Sequence, residues 1–236
     1  MTLLMLLLCT IGQPSGGGND SFSPGFRIGF SFIGSFPSMQ AEKDFADMNT
    51  AAGLDFELGS VSWGGSVEVL GDLSEKFRIR GSFGGTNFSG GYSEGYDAMQ
   101  NIFLIIFTLG LFPGGGEDDV IELNDQAINL EAQAYYVLTR TPGMSISAGA
   151  GPVYTFASRK LDSPNTATSG IGSGLGFVAS VRLDQESTFK LGCLPLMFGL
   201  EGGYRMNNVK ISNTEADDYE LDFSGPFFKL GTYIGL

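Results

Sequence analysis

The sequence predicts an all-β fold, an eight-stranded antiparallel up-and-down transmembrane β-barrel, and three observations carry that expectation. Segments along most of the chain alternate with a period of two, large apolar residues on one face and small or charged residues on the other. No run approaches the roughly 18 apolar residues of a transmembrane helix, so a membrane crossing has to rest on strands, which are stable there only as a closed barrel. The segments are joined alternately by short turns and by long acidic stretches, with both chain ends on the short-turn side.

The clearest segment is 189–205. Leu194, Leu196, Phe198, Leu200, Tyr204 and Met206 point one way, and Cys193, Pro195, Met197, Gly199, Glu201, Gly203 and Arg205 the other. On a soluble sandwich the second face would meet water and carry Lys, Glu and Thr. Here it is mostly small, with one acid and one base, which suits the crowded interior of a narrow barrel and leaves the large apolar face to meet lipid. Outward Leu196 should therefore tolerate Arg poorly, while inward Gly203 should accept Ser. The soluble rival is an eight-stranded barrel of the lipocalin kind, which would need the bulky residues inside and Gly and Ser outside.

In chain order, residues 1–23 read as a signal-peptide-like segment and flexible lead, and 24–236 as the barrel domain. MTLLMLLLCT is a short apolar run without a basic residue before it, followed by Gly, Pro, Ser and Asn. Cys9 invites a lipoprotein reading, though Leu8 stands where a small residue is normal. The first strand, 26–36, sets Phe26, Ile28, Phe30 and Phe32 outward against Arg27, Gly29, Ser31 and Ser35. Residues 37–58 read as a solvated acidic loop. The second strand, 60–70, sets Val61, Trp63, Val67 and Val69 against Ser62, Ser66 and Glu68; after a polar turn at 71–75 the third sets Phe77, Ile79 and Phe83 against Arg78, Arg80, Ser82 and Thr86.

The longest break, 87–119, contains IFLIIFTLGLF at 102–112, which has no alternation and stops at Pro113 and three glycines. It is expected as a short helix or plug in a loop, and Ile102, Phe103, Ile106, Phe107 and Phe112 are candidate contacts for a ligand or partner, because so apolar a run has to pack on something. The fourth strand, 127–139, places Asn129, Glu131, Gln133 and Tyr135 inward, and Pro142-Gly143 turns it into the fifth, 144–158. A polar loop is expected at 159–168, a sixth strand with inward Gly172, Gly174, Gly176, Ser180 and Arg182 at 170–183, and a turn at 184–188. The last acidic loop spans 207–222. The closing strand sets Phe228, Leu230 and Ile234 outward against Phe227, Lys229, Gly231 and Gly235.

This plan resembles the small eight-stranded outer-membrane proteins of the OmpA-barrel and OmpX type, with the OmpW type as second choice. The resemblance rests on pattern over 24–236, together with a terminal FFKLGTYIGL that looks like the C-terminal signal read by the barrel-assembly machinery, though it ends in Leu236 where Phe or Trp is usual. It implies a monomer in a Gram-negative-type outer membrane, in contact with its lipid and lipopolysaccharide. Two functions follow: a filled barrel with a structural or binding role through long acidic extracellular loops, or a narrow channel for small or hydrophobic molecules as in the OmpW type. Enzymes on small outer-membrane barrels, lipid acyltransferases and deacylases, rely on a catalytic His that this chain lacks, so no enzyme is expected.

Composition narrows the chemistry further. A net charge of −13 with few basic residues excludes nucleic acid as a partner. His is absent, which removes the commonest general base and transition-metal ligand; no cofactor or metal is expected. Cys9 and Cys193 are far apart in sequence, and no disulfide is expected. What remains is a candidate lumen charge network: Arg27, Glu68, Arg78, Arg80, Glu131, Arg182, Glu201, Arg205 and Lys229 all fall on inward positions, where ions have to be paired.

Overall fold

The computed structural model describes residues 25–51, 57–92, 121–163, 166–191, 194–213 and 219–235. They form eight antiparallel staves. These are β1 (Phe26–Ser35), β2 (Ser62–Asp72), β3 (Phe77–Tyr92), β4 (Ile121–Thr141), β5 (Met144–Ser163) and β6 (Thr166–Leu191). The seventh, β7, is Leu194–Met206 continued by Asn208–Asn213, and β8 is Tyr219–Asp222 continued by Gly225–Gly235. Each stave pairs with the next, and β8 returns to β1 with Phe30 opposite Thr232 and Ser35 opposite Phe227, so the sheet closes without an edge.

The period-two pattern explains which face each residue takes. Phe26, Ile28, Phe30, Phe77, Ile79, Phe83, Leu130, Phe177, Leu200 and Leu230 are exposed on the outside, Phe30 at 61 %. Ser31, Ser66, Glu68, Arg80 and Glu131 are buried on the inside. A contiguous apolar belt of this size would not be stable against water; it belongs in a bilayer. Aromatic rings mark both ends of it. Trp63 stacks on Phe32 at 5.2 Å and meets Phe228 edge-on at 5.9 Å near the long-loop side, and Phe77 meets Tyr136 edge-on at 5.5 Å near the short turns.

The short turns have local causes. Ser74 Oγ accepts the backbone N–H groups of Lys76 and Phe77 between β2 and β3, and Gly143, at φ +82°, supplies the left-handed residue of the β4–β5 turn.

Several boundaries differ from those the sequence suggests. Of the stretch 159–168, expected as a loop, residues 159–163 and 166–168 are the paired tips of β5 and β6, with Lys160 opposite Ser169 and Leu161 opposite Thr168; polar residues there mark a wet face, not an unpaired backbone. The expected turn at 184–188 is strand. β6 runs on to Leu191 with an irregularity between Glu186 and Lys190, and Phe189 belongs to it rather than to β7. Asp184 looked like a turn residue but points inward to bind arginines, which keeps the strand going. At the start of β7, Leu194 is only 7 % exposed, against its expected outward position. The stretch 207–222 contains the upper pieces of β7 and β8. The stretch 37–58 holds a helix, α1 (Gln40–Ala51).

β4 has 21 residues and β6 has 26, far more than the roughly 9 to 11 that cross a bilayer. On β6 part of the surplus, residues 184–191, runs on past the belt at the short-turn end; the rest stands above the belt, where the outward residues change from Ile128, Phe156, Ile171 and Met206 to Gln126, Ser158, Lys160, Ser169, Lys210 and Ser212. The expected leader and the 102–112 run lie outside the described residues.

Candidate functional site

The lumen is built in four levels. At the short-turn end Asp72 of β2 accepts from Arg27 Nη2 at 2.8 Å and Arg78 Nε at 2.6 Å, with Arg140 Nη2 at 3.4 Å on the rim. Arg78 reaches on to Asp184 of β6, which also accepts from Arg182 Nε at 2.8 Å. One level higher, Glu68 accepts from Arg182 Nη1 at 3.2 Å and the Tyr233 hydroxyl at 2.7 Å. Arg80 holds Glu131 at 2.9 Å and Glu201 across the barrel, and Glu131 also binds Lys229 Nζ at 2.7 Å and Arg205. Arg80 on β3 and Glu201 on β7 are four staves apart, as are Glu68 on β2 and Arg182 on β6. Those pairs therefore span the full width of the lumen.

The counts nearly balance. Asp72, Glu68, Glu131, Asp184 and Glu201 face Arg27, Arg78, Arg80, Arg182, Arg205 and Lys229, and all but Arg27 are close to fully buried. Ions at that depth are tolerable only because each has partners within hydrogen-bonding reach. Guanidinium groups also lie against rings, Arg182 at 4.5 Å from Tyr233 and Arg80 at 5.7 Å from Tyr135. The inward glycines make room for those tyrosines: a Cβ on Gly149 would run into the Tyr135 ring, and one on Gly29 would run into the Tyr233 ring.

All nine inward charges named from the sequence lie in this network. Asp72, Asp184 and the hydroxyls of Tyr135 and Tyr233 were missed. The signal for the two acids was present, since the alternation carried two residues past Leu70 and Arg182 puts both inward. Ile102, Phe103, Ile106, Phe107 and Phe112 lie outside the described residues.

Above the ions, Thr155 Oγ1 donates to Asn129 Oδ1 at 2.6 Å and accepts from Asn207. Higher still, Met39, Phe88, Ala127, Ala157, Val209, Ile211, Leu221 and Phe223 form an apolar layer. α1 lies across the top, with Ala46 packed on Leu123 beside Phe45, Leu58 and Leu161. Under the helix Glu42 is fully buried; it accepts from the Tyr219 hydroxyl and lies 3.4 Å from Arg159 Nη1, whose guanidinium covers the Tyr219 ring at 3.9 Å. Asp125 of β4 is also fully buried, and neither of its oxygens has a hydrogen-bond partner among the described residues. Sequence reasoning missed both acids. Asp125 follows the inward parity of Glu131, but nothing in the pattern announces Glu42.

No protein-family model matches the chain, and no curated protein does. Among solved structures, it is similar to the outer membrane protein OprG from Pseudomonas aeruginosa, with 12% identity over 91% of this chain and 96% of that one, at a TM-score of 0.53. A major outer membrane protein from Thermus thermophilus matches at 14% identity over 91% of this chain and 100% of that one, with a TM-score of 0.46. Ail, the attachment invasion locus protein of Yersinia pestis, matches at 11% over 90% and 97%, with a TM-score of 0.44. The fold is that of the small eight-stranded outer-membrane β-barrels.

Proposed function

We propose that this chain is an outer-membrane barrel of a Gram-negative-type bacterium that anchors a binding surface and conducts nothing through its lumen. The observation that carries the reading is the pair of bridges between opposite staves, Arg80 to Glu201 and Arg182 to Glu68. An eight-stranded interior is just wide enough to be filled by side chains, and here the filling is cross-linked by charge. The lipid-facing belt would lie against lipid and lipopolysaccharide, the terminal strand would be read by the barrel-assembly machinery, and recognition would fall to α1, the acidic connections and the raised tips of β4 to β6. In this reading the protein is neither an enzyme nor cofactor-dependent. The test is conductance in planar bilayers: the purified protein is expected to give no discrete steps above the bare membrane, and reproducible steps would overturn the proposal.

One observation favours the second reading, a narrow channel for small or hydrophobic molecules. The upper lumen contains an apolar layer, and a cavity of about 310 Å³ lies beside it between Phe36, Ser60, Pro226 and Phe88. Phe88 belongs to the inner layer while Pro226 is on the outer wall, so this cavity would link the mouth sideways to the membrane. Uptake of a hydrophobic dye into protein-containing vesicles, without ionic conductance, would support that reading against the first.

A further inference from the structure

The acids under α1 are short of one positive charge. Among the described residues two carboxylates, Glu42 and Asp125, face a single cation, Arg159, which already lies 3.4 Å from Glu42 and 3.9 Å from the Tyr219 ring centre. Asp125 sits directly opposite Arg159 in the sheet register, yet the two make no ion pair within 4 Å. Glu42 Oε2 and both oxygens of Asp125 are buried without a donor among the described residues. The other described charges on the surrounding elements point elsewhere. On α1, Lys43, Asp44 and Asp47 are turned away from the two acids; on β5, Lys160 faces outward and Asp162 binds it; on β8, Glu220 is exposed. β3 and β7 present Phe88, Val209 and Ile211, which carry no charge.

We propose that Asp125 is a neutral carboxylic acid in the closed molecule and that its proton fastens α1 across the mouth, so that the helix is a lid held shut in acid and released as the medium turns alkaline. The proton removes the surplus negative charge and turns one orphaned acceptor into a donor, in a place where an unpaired charge is costly. Release gives that one proton back to the solvent and leaves Asp125 a hydrated carboxylate. This site lies above the belt, so water reaches it once the helix lifts.

Two further features fit. Burial and the neighbouring Glu42 push Asp125 well above the usual carboxylate range, and burial also raises Glu42 against the opposing pull of Tyr219 and Arg159. A group whose value is raised in the docked state favours docking when protonated, and that contribution is lost as pH climbs through the docked value. The hinge is strained as well. Met39, a non-glycine at φ +43°, turns the chain from β1 into α1, and is held there by its buried side chain and by its N–H bonded to the Asp222 carbonyl at 3.0 Å. Such a conformation persists only while its surroundings enforce it, so lifting the lid relaxes it.

The experiment uses the full chain in lipid nanodiscs, with Cys9 and Cys193 replaced by Ser and spin labels on Met48→Cys of α1 and Ser169→Cys of β6. Pulsed electron paramagnetic resonance between about pH 5 and pH 9 is expected to show one narrow distance in acid and a second, broad population growing with pH, by at most about tenfold per pH unit for one proton. Asp125→Asn, which is neutral at every pH, is expected to keep the narrow distance throughout. A pH-independent distance in the parent overturns the proposal, and so does an Asp125→Asn variant with the parent's pH response. Should that variant fail to fold, the infrared carbonyl band of a protonated carboxyl decides: it is expected in the parent near neutral pH and lost in alkali, and its absence overturns the proposal.

Discussion

Arg80 shows how much one side chain can organise in a narrow barrel. Its two terminal nitrogens bind Glu131 on the next stave and Glu201 on the opposite one, while Glu68 lies at 3.5 Å. Breaking one partner of a buried ion pair strands the other, so Arg80→Met is expected to cost about 3 to 5 kcal/mol in urea unfolding from vesicles, and Glu201→Gln a comparable amount. The double variant should lose clearly less than the sum, because neither stranded charge remains; additive losses would show that the two do not act as a pair. At this scale the sequence was legible where alternation held. Arg78, Arg80, Glu131 and Arg205 follow from parity alone. Asp72 and Asp184 did not, because an acid next to a glycine or at the end of a run also suits a turn, and only the arginines across the lumen decide between the two. Glu42 and Arg159 meet through tertiary packing of a helix that local pattern does not announce.

For the staves, face assignment makes a sharper forecast than stave length. Leu200 is half exposed on the belt of β7, opposite Leu183 and Leu230. Leu200→Arg is expected to cost about 2 to 4 kcal/mol and to cut insertion into vesicles, whereas Ser147→Ala, inward on β5, should leave the folding yield near the parent's. Equal yields would reverse the faces. The tolerance expected of Gly203 from sequence does not survive the structure: a Cβ there would collide with the Ala179 carbonyl oxygen and lie 2.9 Å from the Phe227 ring, so Gly203→Ser is expected to be damaging too. Smallness on the inner face is thus a packing requirement and not slack. Stave ends were read poorly for one physical reason. Hydrogen bonding between backbones continues into water wherever two strands already run together, so the polar residues of 159–163 and 166–168 changed the solvent and not the pairing.

The closed ladder makes the molecule resistant as a unit. Through the belt every stave is paired on both sides, so dodecyl sulfate finds no edge to enter there, and an unboiled sample is expected to migrate differently from a boiled one on a gel. Identical mobility, with a folded control shifting, would contradict closure. The number of staves and the alternation of short and long connections were readable because each crossing needs its own apolar face. The lid was not, since α1 is weakly amphipathic and has only two buried residues, Glu42 and Ala46.

The unequal height of the staves gives the molecule a windward and a lee side. β1 and β5 both start at the short-turn end, but β1 has 10 residues and β5 has 20. At about 3.3 Å per residue and a tilt near 40°, that raises one side of the rim roughly 25 Å above the other. Something large descending from the β4–β6 side meets a stiff, hydrogen-bonded wall first. From the side of β1 and β2, which have 10 and 11 residues, it meets the lid directly. Access to the mouth is therefore directional, and the low side, where Met39 carries the hinge, is the direction in which the helix has room to leave.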